Sequence, residues 1–404
     1  MRKEEGRRQK EQIFLLPSSF FLWVVILVAA AALLVSSDFR SRDPDSALYA
    51  RLSGELAERP VSRWIAPEWN GAWNNQGLFR EHPVGILLPS VLLIRAGFPS
   101  GQAAYAVNLL YQIAAIVLIP LVAGVVATRT ESRSLPWLLQ LLPISFVYRI
   151  RANQEHPLLM CFLAVIYATH RARSNAAWTV LTIGAFCFLV LVKGAFAMFA
   201  LVAAGLWILL VPSPAGGANR KGWMCIGAAA VSAALVAVGY EALYLRTTGE
   251  SFLDFYRSTR LGESMSLSDP GVALHAVRNS VWYVGRLIWF AAPWSVLALA
   301  AALVWARSRS RSSASGFDPL SARGLLWAIL ISVVFVAVLS PANVRAERFI
   351  FPVYFIVAGV GVIASIRRFD GVRRMAISAE PRWWLPQAVW FGTFLLSLGS
   401  RLVR

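Results

Sequence analysis

Residues 176–212 read AAWTVLTIGAFCFLVLVKGAFAMFALVAAGLWILLVP, which is two runs of apolar residues with Lys193 between them. Each run approaches the ~20 apolar residues that an α-helix needs to cross the hydrocarbon core of a bilayer. A lysine at the turn between two such helices can extend its ammonium group to the aqueous interface. We therefore interpret this stretch as two membrane-spanning helices, residues 176–192 and 194–212, joined by a turn.

The rest of the chain has the same character. Of its 404 residues, 57% are hydrophobic and 15% are charged, and the mean hydropathy is +0.59. A soluble protein carries about 25% charged residues. The 16 tryptophans and 23 phenylalanines fit a lipid environment, because aromatic rings gather at membrane interfaces. The composition excludes a water-soluble enzyme, a disordered chain, collagen and a coiled coil.

Apolar runs close to spanning length recur along the sequence. One further run, Val84–Ile94, is too short to cross a bilayer comfortably and is followed by Arg95, so we interpret it as re-entrant or interfacial. The sequence predicts an all-α, polytopic membrane protein that forms one domain over residues 1–404. Its eleven predicted spans are 13–36, 104–128, 135–150, 156–170, 176–192, 194–212, 223–245, 285–306, 324–341, 349–366 and 384–401.

The excess of basic residues indicates how the chain is oriented in the membrane. The chain has 39 Lys and Arg against 21 Asp and Glu, a net charge of +18, which in a soluble protein would suggest nucleic-acid binding. Here the basic residues lie between apolar runs, as the positive-inside rule requires of cytoplasmic loops. The sequence therefore predicts no nucleic-acid partner and a cytoplasmic N-terminus. The first apolar run is longer than a signal-peptide core, so we interpret it as an uncleaved first helix.

This topology leaves two long segments on the outer side, residues 37–82 and 246–284. We expect function in the membrane and at its outer surface, and we interpret 246–284 as an interfacial segment beside the lipid entrance. The middles of the predicted spans carry almost no ionisable residue, which disfavours an ion-coupled transporter. The polar residues at the outer helix ends are Asp43, Asp45, Glu81, His82, Glu155, His156, Lys193, Glu347 and Arg348.

Several of these residues have two interpretations. Asp45 is either a catalytic carboxylate or the cap of the helix that follows it. Lys193 is either a binding residue or a lysine that only reaches toward water. Two Glu-His-Pro tripeptides begin at Glu81 and Glu155, and their carboxylates and imidazoles could bind a divalent metal. The four candidate ligands for that metal are Glu81, His82, Glu155 and His156. No cofactor is required by the sequence.

These residues resemble the motifs of the GT-C polytopic glycosyltransferases, in particular the aminoarabinose lipid A transferase and protein O-mannosyltransferase branch. The similarity follows the family order through most of the chain, with Ser46 in place of the family's second acidic residue and Val84 in place of its second proline. The matching segments are Asp45-Ser-Ala-Leu-Tyr49, Phe79-Arg-Glu-His-Pro83, Leu92–Phe98, Arg151–Leu158, Val192-Lys-Gly194, Pro293-Trp294 and Arg348-Phe-Ile-Phe-Pro352.

The resemblance implies transfer of a sugar from a polyprenyl-phosphate donor to an acceptor hydroxyl, with inversion, at the outer face of a bacterial inner membrane. The acceptor is a lipid, a glycan or a protein. It implies Asp45 as the base, because partial desolvation raises a carboxyl pKa, with Asp43 in reserve. Lys193 and Arg348 would bind the donor phosphate. The residues expected to line the site are Tyr49, Glu81, His82, Glu155 and His156.

Two other classes of function stay open. A polytopic transporter or flippase of lipid-linked or envelope precursors predicts an inverted repeat with broken polar helices, and a structural subunit predicts no acidic cluster on one face. Within enzymes, a ligase or polymerase of lipid-linked glycans shares the donor chemistry with a single-sugar transferase.

Overall fold

The computed structural model describes residues 16–69, 77–213, 219–258, 271–309 and 319–402. These residues form seventeen α-helices, and the extended pairing among them is a single antiparallel bridge between Glu68 and Leu78. The predicted all-α fold class is confirmed. The helices are α1 (Leu16–Ser36), α2 (Pro44–Glu58), α3 (Leu88–Arg95), α4 (Ser100–Ala123), α5 (Arg129–Leu138), α6 (Pro143–Tyr148), α7 (Glu155–Ala172), α8 (Trp178–Lys193), α9 (Met198–Leu210), α10 (Asn219–Thr248), α11 (Phe252–Phe255), α12 (Val272–Phe290), α13 (Trp294–Arg309), α14 (Pro319–Leu339), α15 (Phe351–Arg368), α16 (Asp370–Ala379) and α17 (Leu385–Leu402).

Six helical stretches of the described chain are long and apolar enough to cross a membrane by length and composition. They become seven if α12 and the start of α13, which are bent by 115° relative to each other, count as one broken span. The predicted number of eleven spans is therefore not confirmed. The six stretches are Ser19–Ser36, Ser100–Ala123, Trp178–Leu210, Asn219–Thr248, Leu320–Leu339 and Glu347–Arg368.

The stretch Trp178–Leu210 contains a reversal of the chain. Lys193 lies against the start of α7, since its Nζ is 3.9 Å from Glu155 Oε1. Trp207 lies near the other end of α7, where its indole Nε1 donates to His170 Nδ1 at 3.2 Å. Trp178, at the start of α8, packs edge-on against Tyr167 at this same end of α7, with ring centroids 5.5 Å apart. In a straight helix Trp178 and Trp207 would be about 44 Å apart, so the chain reverses between them. The turn between α8 and α9 thus lies at Lys193, where the sequence predicts it.

Gly194 allows this reversal. Its backbone has φ +57° and ψ −130°, a conformation that residues with a side chain rarely adopt. A Cβ at this position would also lie 2.7 Å from the hydroxyl oxygen of Tyr256. The backbone conformation is the reason that the turn at Lys193 requires glycine, and an added Cβ would also displace the Tyr256 hydroxyl.

The predicted span 135–150 is a broken helix. It consists of part of α5, a 3₁₀ turn at Leu139–Leu141 and α6. Inside a membrane protein, irregular backbone persists only where protein groups satisfy its hydrogen bonds. Arg149 donates to the Gln140 carbonyl at 3.3 Å, and Gln112 donates to the Arg149 carbonyl at 2.7 Å. Asn108 donates to the carbonyl of Arg151. These bonds from α4 fix the polar stretch that leads from α6 into α7.

The short apolar run Val84–Ile94 does not form a full span. It forms a 3₁₀ turn at Val84–Ile86 followed by α3, which has eight residues. The turn packs tightly on the end of α8, because a Cβ on Gly85 would lie 2.6 Å from the Cβ of Leu191. The interpretation of this run as a short helix that does not cross the membrane fits the structure.

An ion pair joins three helices at the end of the bundle opposite Asp45. Glu131, whose side chain is 4% exposed, accepts from Arg367 Nε at 2.6 Å and from Arg367 Nη2 at 2.9 Å. Arg367 also donates to the Ser321 hydroxyl at 2.9 Å. Glu131 closes a capping box with Thr128 at the start of α5. The pair ties α5 to α14 and α15, and we call this end of the bundle the Arg367 end.

We expect Arg367→Gln to destabilise the protein. Removing one partner of a buried ion pair leaves the other charge uncompensated, which costs about 3–5 kcal/mol of unfolding free energy. Chemical unfolding in micelles would measure this loss. Arg368→Gln is the matched control, since Arg368 is exposed on the same helix. Equal stability of the two variants would contradict a structural role for the Glu131–Arg367 pair.

We expect Gly194→Ala to lower thermal stability, because a strained backbone conformation costs about 1–3 kcal/mol. Gly184→Ala, in the middle of α8 with no heavy atom within 4 Å of the added Cβ, is the control. That control should be neutral or slightly stabilising, since alanine favours a helix over glycine. The midpoint of thermal unfolding would be compared between the two variants, and an unchanged midpoint for Gly194→Ala would disprove the requirement for glycine.

Candidate active site

Asp43 begins α2. Its carboxylate accepts from the Ser46 backbone N–H at 3.1 Å, and Pro44 occupies the first helical position. This is the usual chemistry of a helix start, where a side-chain oxygen satisfies an otherwise unpaired N–H. The cap of α2 is therefore Asp43, and the interpretation of Asp45 as the cap is wrong. Asp45 lies in the first turn with its carboxylate available for other partners.

Asp45 forms an ion pair with Arg348. Arg348 belongs to a 3₁₀ turn at Glu347–Ile350 that leads directly into α15, so the pair joins two segments 303 residues apart. Both side chains are about one-third exposed, at 34% for Asp45 and 38% for Arg348. The pair is accessible to a ligand. We call this end of the bundle the Asp45 end.

Asp43 has a basic partner of its own. Its Oδ1 lies 3.2 Å from Arg151 Nη1, and it is close enough to Arg348 and Glu155 for their charges to interact. The two candidate bases thus occupy one charged cluster. Asp43 combines capping with an ion pair, whereas Asp45 has Arg348 as its partner.

Ser46 connects α2 to the segment before α7. Its hydroxyl lies 2.7 Å from Asp43 Oδ2 and 3.0 Å from Asn153 Oδ1, and it accepts from the Ala152 N–H at 3.0 Å. Ser46 is fully buried. A carboxylate buried at this position would need a counter-charge. Ser46, which replaces the second acidic residue of the family pattern, connects the two segments by hydrogen bonds without adding a charge.

Lys193 and Glu155 meet on the buried side of the cluster. Lys193 donates to Gln154 Oε1, and its side chain is 8% exposed against 1% for Glu155. Glu81 is also close enough to Lys193 for their charges to interact. Glu155 Oε2 and Gln154 Nε2 are buried with no hydrogen-bond partner among the described residues. The cluster therefore contains one polar donor and one polar acceptor that the described protein leaves unused.

Tyr49 and His82 form a separate pair. The Tyr49 hydroxyl and His82 Nε2 are 2.9 Å apart, and His82 Nδ1 lies 2.9 Å from the carbonyl of Pro83. Both rings contact Phe79 edge-on. All three side chains are buried. Their arrangement holds the Glu81 turn against α2.

His156 is directed away from these pairs. Its Nε2 lies 3.1 Å from the Tyr148 carbonyl, and its ring packs edge-on against Phe351. Across residues 16–69, 77–213, 219–258, 271–309 and 319–402, no group of three or more His, Cys, Asp or Glu side chains could hold a metal ion. The structure thus gives no support to the metal site that the sequence allowed at Glu81, His82, Glu155 and His156.

The first long loop is fixed by short-range contacts. Arg59 donates to Glu68 at 2.8 Å, and this hydrogen bond and charge hold the pKa of Glu68 below its usual range. Arg95 donates to the Ala57 carbonyl at 3.0 Å and lies 4.7 Å from the centre of the Trp64 ring. These contacts cover the end of α2 and anchor the helix whose other end carries Asp43 and Asp45.

The second long segment, 246–284, is only partly interfacial. Phe252 is 2% exposed and packs between Tyr240 and Tyr244, so this aromatic residue faces the protein. The start of α12 does expose apolar side chains, with Leu274 71% exposed and Val277 64% exposed. Residues 259–270 of this segment lie outside the described residues, Arg260 among them.

An elongated apolar cavity runs through the bundle. Its volume is about 120 Å³, and its lining extends along α15 from Pro352 to Arg367. Pro352 is four residues beyond Arg348, so one end of the cavity lies near the Asp45 end. Leu159, Phe162 and Phe355 are among its apolar walls.

Four further polar residues belong to the cluster, although the sequence singled none of them out as a candidate. They are Ser46, Arg151, Asn153 and Gln154. The sequence does carry a signal for three of them, because Arg151-Ala-Asn-Gln-Glu155 interrupts two apolar runs with four polar residues. Ser46 has no such signal, since its role depends on contact with residues 107 positions away.

Comparison with known structures identifies the fold. The chain is similar to ArnT from Cupriavidus metallidurans bound to undecaprenyl phosphate, with TM-score 0.57, 19% identity, and coverage of 88% of this chain and 63% of that one. The apo form of the same enzyme gives TM-score 0.58, 17% identity, and coverage of 94% and 76%. The Archaeoglobus fulgidus oligosaccharyltransferase in complex with zinc and sulfate gives TM-score 0.51, 14% identity, and coverage of 91% and 53%.

No protein-family model matches the sequence, and no curated protein matches it. The chain spans 63% of the ArnT chain in the lipid-bound structure and about half of the oligosaccharyltransferase, so the similarity covers part of each neighbour. All three sequence identities are below 20%, so the comparison shows a shared fold. The predicted resemblance is confirmed at that level: this multi-pass membrane protein has the fold of the GT-C glycosyltransferases.

Proposed function

We propose that this protein is a membrane glycosyltransferase that moves a sugar from a polyprenyl-phosphate donor to an acceptor hydroxyl at the Asp45 end of the bundle. The accessible Asp45–Arg348 pair is the observation that carries the proposal. It joins a carboxylate suited to accept a proton to a guanidinium suited to bind a phosphate, on the GT-C fold. A neighbour of that fold has been solved with undecaprenyl phosphate bound.

Asp45 would act as the general base. It takes the proton of the acceptor hydroxyl while the hydroxyl oxygen attacks the anomeric carbon of the sugar. The bond from that carbon to the phosphate oxygen breaks on the opposite side, so the configuration inverts. The ion pair with Arg348 fixes the Asp45 carboxylate beside the guanidinium that would receive the leaving phosphate.

Arg348 would receive the departing lipid phosphate. A guanidinium has five N–H donors in a planar fork and can bind a carboxylate and a phosphate at the same time. Lys193 is buried between Gln154 and Glu155, so its contribution is positive potential and control of those two side chains. Gln154 Nε2 and Glu155 Oε2 have no hydrogen-bond partner among the described residues and are fully buried, so a rearrangement of these two side chains would be needed to bring them to hydroxyl groups of the donor sugar.

The lipid part of the donor would lie along the apolar surface of the bundle. The cavity beside α15 begins near Pro352, and the exposed faces of the long helices are apolar. A membrane-embedded donor explains why an enzyme of this kind would have so few charged residues. We place it in a bacterial inner membrane, with the N-terminus in the cytoplasm and the Asp45 end outside. The acceptor is a lipid, a glycan or a protein.

A transporter or flippase of lipid-linked or envelope precursors is the second candidate function. One observation favours it: the span that contains α5 and α6 is broken at residues 139–142 and carries the buried Arg149. Broken polar helices are typical of transporters. Transport requires no base, so it predicts that Asp45 is dispensable for any chemical turnover.

We expect Asp45→Asn to reduce release of free polyprenyl phosphate by at least about 100-fold, which is the usual contribution of a general base. Membranes that contain wild type or variant would be given a panel of labelled polyprenyl-phosphate sugars. Asp43→Asn is the matched control, since asparagine caps a helix as well as aspartate does and should preserve α2. Its release should stay close to the wild-type value.

Three results would contradict the assignment of Asp45. Loss of release in Asp43→Asn but not in Asp45→Asn would make Asp43 the base. Equal release by wild type and Asp45→Asn, or no release with any donor, would remove the carboxylate from the mechanism and favour transport.

We expect the two ends of the bundle to lie on opposite sides of the membrane. In a background without Cys161, Cys187 and Cys225, the substitution Val61→Cys should react with an impermeant maleimide in intact spheroplasts. The substitution Arg374→Cys, on α16, should react only after permeabilisation. Both positions are exposed, so accessibility to the reagent decides the result. The reverse labelling pattern would invert the proposed orientation.

A further inference from the structure

A second cavity opens at the Asp45 end, beside the turn that carries Glu81. Its volume is about 610 Å³, and it is wide open to its surroundings. Its floor includes Arg80, which is 3% exposed and forms an ion pair with Glu250. The remaining wall comes from α11 and the residues around it. The lining residues are Arg80, Glu250, Ser251, Asp254, Phe255, Arg257 and Ser258.

The charges around this cavity balance. Arg80 and Arg257 contribute two positive charges, and Glu250 and Asp254 contribute two negative ones. The side chains of Asp254 and Arg257 are exposed and make no ion pair or side-chain hydrogen bond with another residue in the described ranges. Arg80 Nε also has no partner among the described residues, but it is fully buried, so the donors and acceptors open to the cavity are those of Asp254 and Arg257. The cavity therefore offers unused donors and acceptors without a net charge.

This chemistry matches a neutral ligand with several hydroxyl groups. Each hydroxyl both donates and accepts, so it can bridge a carboxylate and a guanidinium. Because the two guanidinium groups and the two carboxylates balance, the cavity offers no net electrostatic attraction to a free phosphate or to a cation. The Phe255 ring, which lies 5.0 Å from the Arg80 guanidinium, adds an apolar wall suited to the C–H face of a sugar.

The cavity adjoins the charged cluster. Arg80 is followed in sequence by Glu81, whose charge interacts with that of Lys193. Tyr256 follows Phe255, and its hydroxyl lies 2.7 Å from the position that a Cβ would take on Gly194. Arg80 and Phe255 thus lie one residue from side chains that border the Lys193 turn.

We propose that this cavity binds a saccharide, namely a neutral sugar unit of the acceptor. That the bound sugar belongs to the acceptor rests on the proposed function. Binding of a saccharide in this cavity does not require that the protein transfers sugars. The proposal names the acceptor as a glycan or glycolipid and assigns Arg80, Asp254 and Arg257 as its binding residues. Ser251 and Glu250 complete the polar wall.

Saturation-transfer difference NMR on the full chain in nanodiscs would test it. The probes are the methyl glycosides of glucose, mannose, galactose and N-acetylglucosamine. We expect at least one to bind wild type, and Asp254→Asn and Arg257→Gln to weaken that binding about tenfold, since each variant loses a hydrogen bond between the sugar and a charged group. Both positions are exposed, so the variants should fold.

Asp370→Asn and Arg374→Gln are the matched controls, because they remove the same charges at the Arg367 end and should bind as wild type does. Excess inorganic phosphate should leave the signal unchanged. The proposal is overturned if no glycoside binds, if phosphate displaces the glycoside, or if the cavity variants bind as well as the controls.

The outcomes separate this inference from the proposed function. Glycoside binding that depends on Asp254 and Arg257, together with no polyprenyl-phosphate release from any donor, would support the saccharide site and reject the transferase. Release that depends on Asp45 without glycoside binding would support the transferase and reject this cavity as its acceptor site.

Discussion

The need to satisfy every backbone hydrogen bond away from water governs this structure. A continuous helix meets that need by itself, whereas an interrupted one requires partners from neighbouring helices. The break between α5 and α6 has them, because Gln112 and Asn108 on α4 donate to the carbonyls of Arg149 and Arg151. Arg149 in turn donates to Gln140. The carbonyl groups at these positions are therefore all hydrogen-bonded despite the interruption. The interruption also brings the polar segment before α7 to the end of the bundle.

Each side of the charged cluster comes from a similar interruption. Residues 149–155 follow a broken helix, Lys193 lies at a reversal that Gly194 permits, and Arg348 belongs to a 3₁₀ turn before α15. The first turn of α2 supplies the carboxylates. In the regular parts of these helices most side chains are apolar. Polar and charged side chains can therefore meet at the positions where a helix starts, ends or is interrupted. The second cavity follows the same principle, with Arg80 in a turn and Asp254 in the short α11.

Much of this arrangement was predictable from the sequence. The apolar runs predicted an all-α membrane protein, and the polar residues at their ends predicted which end would carry the cluster. The number of spans was not predictable in the same way. Hydropathy cannot distinguish a continuous helix from the end of α5, the 3₁₀ turn and α6, since residues 135–148 are apolar apart from Gln140 and Ser145. It also cannot reveal a 115° bend between α12 and α13.

The sequence by itself determined the membrane class, the turn at Lys193 and the clustering of acidic residues at the start of α2, because these depend on composition and on neighbours along the chain. Only the tertiary structure decided that Asp43 caps the helix while Asp45 pairs with Arg348. The tertiary structure also decided that the His156 ring contacts the Tyr148 carbonyl and does not pair with His82. These choices depend on helix register to within one residue and on contacts between segments as far as 303 positions apart, which no local pattern encodes.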